Sequence, residues 1–468
     1  MQTRRVAFAV AVVAVAALGH PPSSAGQPAS STPPTGAPER RLSQVAKPHV
    51  ESSVAVNPAN ARHVVVTAIE FAGSYADAVI ETGFAPVNRV YVSTDGGLNY
   101  KETGPLPTPV KAQPSSNDPT LAWDPRGPLY AAYGAFDGSP YDDVDHPDQG
   151  AWVARSDDGG RTWRGQPVQR FTRNATVCSG PDKPAVAVDP RRGTVYATYQ
   201  YLFASPDCRE IKRSETRYVR SDDGGRTWSA PRLLSAPKDD AFGTAPRVLP
   251  DGTLVVTYLG DSNADGLYPE CANIWIGATV ARVNRRGAIT HHSLAPVACA
   301  VAKNGSQYGV HNLPTLEVLP GGRLVAALSD MRVEDQGLLI LTSDDGGISW
   351  RRGRVAARPG HLLGYPQLAA GGGRVALLYL DSAPGGLYQP TVVSSANRGD
   401  TWSAPTALAG LPSVGNQHPY QPFDPYTIGH YQGLAVGADR VAHAAWPDLR
   451  PDDRPHDVDI WVRGLPLP

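Results

Sequence analysis

The sequence predicts an all-β chain folded as a single β-propeller, with seven blades preferred over six. Three observations predict it. An octapeptide recurs along the chain at blade-sized intervals. A separate series of hairpin turns recurs at the same period. Long helical periodicity is absent, and radial repetition of small sheets is the architecture that such a pattern describes.

The 468 residues include 47 Gly and 45 Pro, rich in turn formers yet short of the level that marks a structureless chain. A hydrophobic content of 41% is enough for a large core. Lys and Arg total 43 against 44 Asp and Glu, a net charge of −1. No strong basic field exists to hold nucleic acid or an anionic membrane, so neither is expected as a partner.

The chain opens with Arg4 and Arg5 ahead of an apolar run from Val6 to Gly19. That run is short for a bilayer span and is placed like the core of a secretory signal. Ser23-Ser24-Ala25 before Gly26 offers a cleavage site, with Ala17-Leu18-Gly19 a second option. The expected organisation is therefore a signal peptide at 1–25, a Pro/Ser-rich leader at 26–44 and the propeller at 45–468. Without a later apolar run of spanning length, the mature protein is expected to be exported, free of an integral membrane segment, and monomeric. Cys178, Cys208, Cys271 and Cys299 suit an oxidising compartment. Of three pairings, Cys178–Cys208 with Cys271–Cys299 closes the shortest loops, each worth roughly 3 kcal/mol through the unfolded state.

The octapeptide Ser156-Asp157-Asp158-Gly159-Gly160-Arg161-Thr162-Trp163 returns unchanged at Ser221 to Trp228 and as Ser343-Asp344-Asp345-Gly346-Gly347-Ile348-Ser349-Trp350. Looser copies begin at Ser93 and Ser395. The starts at 93, 156, 221, 343 and 395 leave one double interval, and Ile274 to Gly287 stands where a lost copy belongs. The chemistry is that of a tight turn: an Asp accepts backbone N–H groups and Gly supplies positive φ. Apolar strand pairs meet at Asn57-Pro58, Asp124-Pro125, Asp189-Pro190, Asp251-Gly252, Gly321-Gly322, Gly371-Gly372 and Gly437-Ala438, which counts seven units. The last unit ends after Asp459-Ile460-Trp461-Val462-Arg463, so Arg41 to Ala46 is expected to supply its outer strand.

The S-x-D-x-G-x-T-W box identifies a resemblance to the sialidase (neuraminidase) superfamily, whose propellers carry this bacterial neuraminidase repeat, over roughly residues 45–466. Sialidases are six-bladed, and their Arg-Ile-Pro signature is absent here, its place taken by Glu51-Ser52-Ser53. Antiparallel strand order puts the boxes on one face and the openings of the first strands, with the ends of the second, on the other. The openings carry Glu51, Asn117 with Asp118, Asp182 with Lys183, Thr244, His311 with Asn312, Tyr365, and Tyr431 with Gln432. The ends carry Glu70, Asp137, Gln200, Asp261, Asp330 with Arg332, Asp381, and Asp448 with Arg450.

The resemblance implies a secreted exo-glycosidase acting on a terminal, acidic sugar of a glycan. Tyr431 would be the nucleophile (Tyr365 the second choice), Glu70 its base, and Asp118 or Asp182 the acid/base, since a tyrosine nucleophile is a recognised exception to the two-carboxylate rule. Arg332 and Arg450 would clamp the sugar carboxylate, with a third arginine from Arg170, Arg209 or Arg213. His311 with a tyrosine would serve the alternative of a polysaccharide lyase. A glycan- or protein-binding propeller without catalysis is the alternative from another class. No cofactor is required; Asp261, Asn263 and Asp265 match the first half of a calcium loop, but Ala272 stands where its bidentate Glu belongs.

Overall fold

The computed structural model describes residues 36–43, 45, 47–71, 86–109, 114–137, 148–174, 177–206, 211–237, 239–261, 275–295, 314–329, 337–355, 361–382, 387–413, 429–450 and 458–468. They form seven antiparallel sheets and no helix. In chain order the blades span 49–105, 114–170, 172–233, 242–295, 315–355, 362–407 and 433–466. Blades 1 to 6 follow sequence order across the sheet, as in blade 1 with His49–Asn57, Asn60–Glu70, Val87–Ser93 and Lys101–Pro105. Blade 3 carries an additional strand, Thr172–Asn174, along its first strand Val177–Val188.

The first and second strands are almost continuously buried because both faces of every sheet are covered by a neighbour, and beyond the openings of the first strands their residues are mainly apolar. Alternation then divides the side chains between two interfaces. Ala55 packs with Leu121, Trp123 and Trp152 of blade 2, whereas Val54 and Val56 pack with Ala435, Ala445 and Ile460 of blade 7. The same division gives one apolar cluster for each of the other blade pairs, including Val186, Val195 and Tyr199 with Tyr130 between blades 2 and 3. The core is thus a ring of seven interfaces.

Closure is made by the N-terminal segment. Arg40 and Arg41 pair with Val462 and Trp461 on the outer edge of blade 7, and Leu42 N–H donates to Ile460 at 2.8 Å. The strand expected from Arg41 to Ala46 therefore begins one residue earlier and is only Arg40–Arg41.

Each octapeptide follows a third strand and sits at the end of the sheet that holds the turn between strands one and two; Ser156, for example, pairs with Leu129. Asp158 Oδ1 accepts Arg161 N (3.0 Å) and Thr162 N (2.9 Å), its Oδ2 accepts Thr162 Oγ1 (2.6 Å), and Ser156 Oγ accepts Gly160 N (2.8 Å). Asp223 and Asp345 make the same set. Burial resists ionisation of Asp158 slightly, but the Thr162 and Ser156 hydrogen bonds outweigh it and hold its carboxyl down to about 2. The glycine carbonyls staple the box to the preceding blade: Gly159 O accepts His63 Nε2 at 2.8 Å, and Gly160 O accepts Thr103 Oγ1 at 2.9 Å. In blade 4 the turn after Trp275–Val283 is capped by Asn284, whose Oδ1 accepts Arg286 N and Ala288 N, at the position of the lost copy.

These bonds separate the two acidic residues of the box. Asp158→Ala is expected to lower the stability of the domain by about 1–2 kcal/mol in urea unfolding, because several donors lose their acceptor. Asp157→Ala removes only an exposed pair with Arg155 and should stay within about 0.5 kcal/mol of the parent.

Candidate functional site

The other end of the blades carries the chemistry. Five of the first strands break register near their opening: between Val50 and Ser53, Asn117 and Thr120, Asp182 and Ala185, Phe242 and Ala245, and Gly364 and Gln367. Each break holds a residue at positive φ: Glu51 (52°), Asp118 (49°), Lys183 (48°), Gly243 (65°) and Tyr365 (55°). Four of the five are not glycine, and such backbone costs on the order of 1–3 kcal/mol apiece. Strain repeated at one level of the ring turns these side chains out of the strand alternation, as bulges do beside functional sites.

The bulges of blades 1 to 3 bring a charged cluster together with residues from blade 7. Glu51 and Asp118 are each 2% exposed and Lys183 is 1% exposed. Lys183 Nζ lies 3.3 Å from Asp118 Oδ1 and 4.0 Å from Asp182 Oδ2. Glu51 Oε1 accepts the His430 N–H at 3.2 Å and lies 2.6 Å from His430 Nδ1. Tyr431 OH donates to Pro119 O at 3.3 Å. Gln432 Nε2 donates to Tyr365 O at 2.7 Å.

Burial dominates the electrostatics. It pushes Glu51, Asp118 and Asp182 each up to about 7, against the opposing pull of Lys183. The same burial, helped by Lys183, drives His430 well below its ordinary value, so it is a neutral imidazole. Tyr431 is raised well above the usual phenol value by burial and then by Glu51, Asp118 and Asp182. The cluster thus offers carboxyls that exchange protons near neutrality around an un-ionised phenol, a combination suited to acid/base work.

Three of the sequence-derived candidates, Tyr431, Asp118 and Asp182, meet here. Glu70 does not join them. Its carboxylate is held by Arg89 (2.9 Å), Lys47 (3.0 Å) and His49 (3.5 Å), and the carboxyls facing Tyr431 are Glu51, Asp118 and Asp182 instead. Burial raises Glu70, but His49, Lys47 and Arg89 outweigh it and bring the group down to about 2. Arg450 is likewise committed, bound to Asp448 and Glu39 and stacked 4.0 Å over Trp461. The Tyr365 ring packs with Leu380 and Tyr388. Arg170 pairs with Asp148 and Arg213 with Glu215. Arg209, Arg332, His311, Asn263 and Asp265 lie outside the described residues, as does the side chain of Asp261.

Glu51 and Lys183 were visible in the sequence as polar openings of first strands, and Asp118-Pro119, Lys183-Pro184 and Tyr365-Pro366 share one offset from the apolar run that follows. His430 carried no such signal, because its partner Glu51 is 379 residues away. At the opposite, octapeptide end, a cavity of about 520 Å³ between blades 2 and 3 is lined by Arg126, Arg155, Asp124 and Asp157 among others. Arg126 is bound to Asp124 and Arg155 to Asp157. Among the described residues no group of three His, Cys, Asp or Glu is arranged to hold a metal.

No family model matches the chain, and no curated protein does. Solved structures do. A Dyadobacter fermentans protein of unknown function is 16% identical with a TM-score of 0.51, covering 77% of this chain and 96% of its own. The likeness is one of fold. The Hadza microbial sialidase Hz136 aligns at 17% identity and TM-score 0.45 over 83% of this chain and 74% of its own. A Penicillium chrysogenum α-L-arabinanase complexed with arabinobiose aligns at 13% and 0.46 over 92% and 98%.

A second buried cluster secures the ring beside the site. His49 Nδ1 lies 3.1 Å from Asp459 Oδ1, its Nε2 lies 3.3 Å from Tyr91 OH, and Arg41 Nε lies 3.2 Å from Asp459 Oδ2. Burial alone would lower His49, but Asp459 and Glu70 raise it above 6.5. Its stabilising contribution is therefore complete below pH 6.5 and lost as pH rises through the raised folded value. Urea midpoints measured from pH 7 to 9 should fall in the parent and fall less in His49→Gln.

Proposed function

We propose that this protein is an exported glycoside hydrolase acting on terminal sugars of glycans. The observation that supports it is the set of carboxyls, buried Glu51 and Asp118 with half-buried Asp182, gathered with Lys183 around Tyr431. Cleaving a glycosidic bond requires a proton delivered to the leaving oxygen and recovered later, at a pH where the carboxyl exists in both forms. Carboxyls held near 7 meet that requirement. In this reading Asp118 is the acid/base and Tyr431 the nucleophile, with the neighbouring carboxyls available to take its proton. A sialidase-like preference for acidic sugars would rest on Arg332, since Arg450 is already bound to two carboxylates. Export through the N-terminal signal and the pairings Cys178–Cys208 and Cys271–Cys299 belong to the same reading.

A non-catalytic glycan-binding propeller is the second reading. What favours it is that Tyr431 donates to a backbone carbonyl and Lys183 is bound to Asp118, so part of the cluster is satisfied internally.

Turnover of fluorogenic sialosides, uronides and neutral glycosides by the mature protein tests both. The hydrolase reading expects release from one class, with kcat/KM reduced about 10²–10⁴-fold in Asp118→Asn and in Tyr431→Phe. Silence on every class by a folded protein that still retains glycan on an array replaces it with the binding reading.

A further inference from the structure

We infer that Glu51 and Asp118 hold a single proton between them at neutral pH, and that this shared proton is the acid/base store of the site. One oxygen of each carboxyl is accounted for: Glu51 Oε1 by the two His430 nitrogens and Asp118 Oδ1 by Lys183 Nζ. The other two, Glu51 Oε2 and Asp118 Oδ2, are fully buried, and no N–H or O–H among the described residues reaches them. The two carboxyls nevertheless interact side chain to side chain. Two ionised carboxylates facing each other away from water would repel, and two unpaired buried oxygens would each carry a desolvation cost. One proton removes both costs by converting the contact into a charge-assisted O–H···O bond.

The surroundings make that proton transferable. Lys183 stabilises negative charge on Asp118, while the His430 backbone N–H, joined by Nδ1 in the tautomer that carries its proton there, stabilises it on Glu51. Either carboxyl can therefore keep the charge when the other keeps the proton, and the pair titrates as a unit. Asp182 shares Lys183 with Asp118, and Tyr431, un-ionised, faces all three carboxyls. Glu51 thereby becomes a positioning residue that works through Asp118.

The catalytic consequence rests on the hydrolase reading; the shared proton does not. In that reading the Tyr431 oxygen bonds to the anomeric carbon and gives its proton to Asp182, while Asp118 passes the shared proton to the leaving glycosidic oxygen as the C–O bond breaks. Water then displaces Tyr431, which takes its proton back from Asp182. The pair regains one from the water that supplies the new hydroxyl, so its proton count is unchanged over a turnover.

Carboxyl carbons of Asp and Glu, labelled with ¹³C, report the pair directly when titrated from pH 4 to 9, alongside urea midpoints over the same range. The parent should show two carboxyl signals moving together near neutrality. Because the folded values are raised, the pair's stabilisation is present below about 4.5 and lost as pH rises through about 7. Glu51→Gln fixes an N–H donor in place of the shared proton. It should flatten this fall and return Asp118 to the ordinary carboxyl range, and in an active enzyme it should lower kcat at least tenfold with little change in KM. Two parent signals titrating separately below pH 5 would overturn the inference, as would a Glu51→Gln profile parallel to the parent's. The parent titration decides even where the variant fails to fold. Coupled titration without turnover of any glycoside keeps the shared proton and removes the hydrolase; turnover with separate titrations does the reverse.

Discussion

Every sheet in this molecule is covered on both faces by other sheets, and that mutual burial is the condition on which everything else depends. A single four-stranded blade would expose one apolar face on each side, so no blade can be stable alone and stability is gained only as the ring fills. The last gap then matters most. It is closed by two residues, Arg40 and Arg41, paired on the outer edge of blade 7 and tied inward by the Arg41–Asp459–His49–Glu70 chain. A short strand suffices because its pairing is backed by a buried ionic network that joins the clasp, blade 7 and blade 1.

The same geometry explains why the Glu51–Asp118–Lys183 cluster sits at one end of the blades. Along the body of each first strand the side chains alternate between two packed interfaces, where charge is costly. Only the register breaks escape that alternation, and they occur at one level of the ring. Asp118, Lys183 and Glu51 are displayed by strained backbone, and Lys183 offsets the carboxyls of Asp118 and Asp182 while His430 meets Glu51. The outer ring of acids behaves differently. Glu70 binds Lys47 and Arg89, Asp381 binds His361 at 2.6 Å, and Asp448 binds Arg450, so these groups hold blade ends in place.

The octapeptides show the converse arrangement. Their aspartates lie at the surface yet are held ionised, because a Thr or Ser hydroxyl, backbone N–H groups and the leading Ser hydroxyl converge on each carboxylate and not because of any counter-charge. Asn397 fills the same role in blade 6, accepting Thr401 N at 2.9 Å, which shows that the acceptor oxygen is what the turn needs. One end of the propeller is thus built from locally satisfied turns and the other from long-range pairs.

That difference sets what could be read from the chain. The octapeptide bonds span two to four residues, so the turns were legible in the repeat itself; blade number was legible in the seven strand-pair turns, and ring closure in the last unit's missing outer strand. Asp118, Asp182 and Tyr431 were legible as polar residues at equivalent openings. Glu70 and Arg450 looked equally suitable, since sequence marks the end of a strand but not the partners that wait there. The pairing of Glu51 with His430 across 379 residues follows from ring closure, which places the first and last blades side by side, whereas Glu51 meets Asp118 because blade 1 packs on blade 2. Local patterning determined the blades; only the packing of blade against blade decided which carboxyls face one another, because low-dielectric contact between them exists nowhere along the open chain.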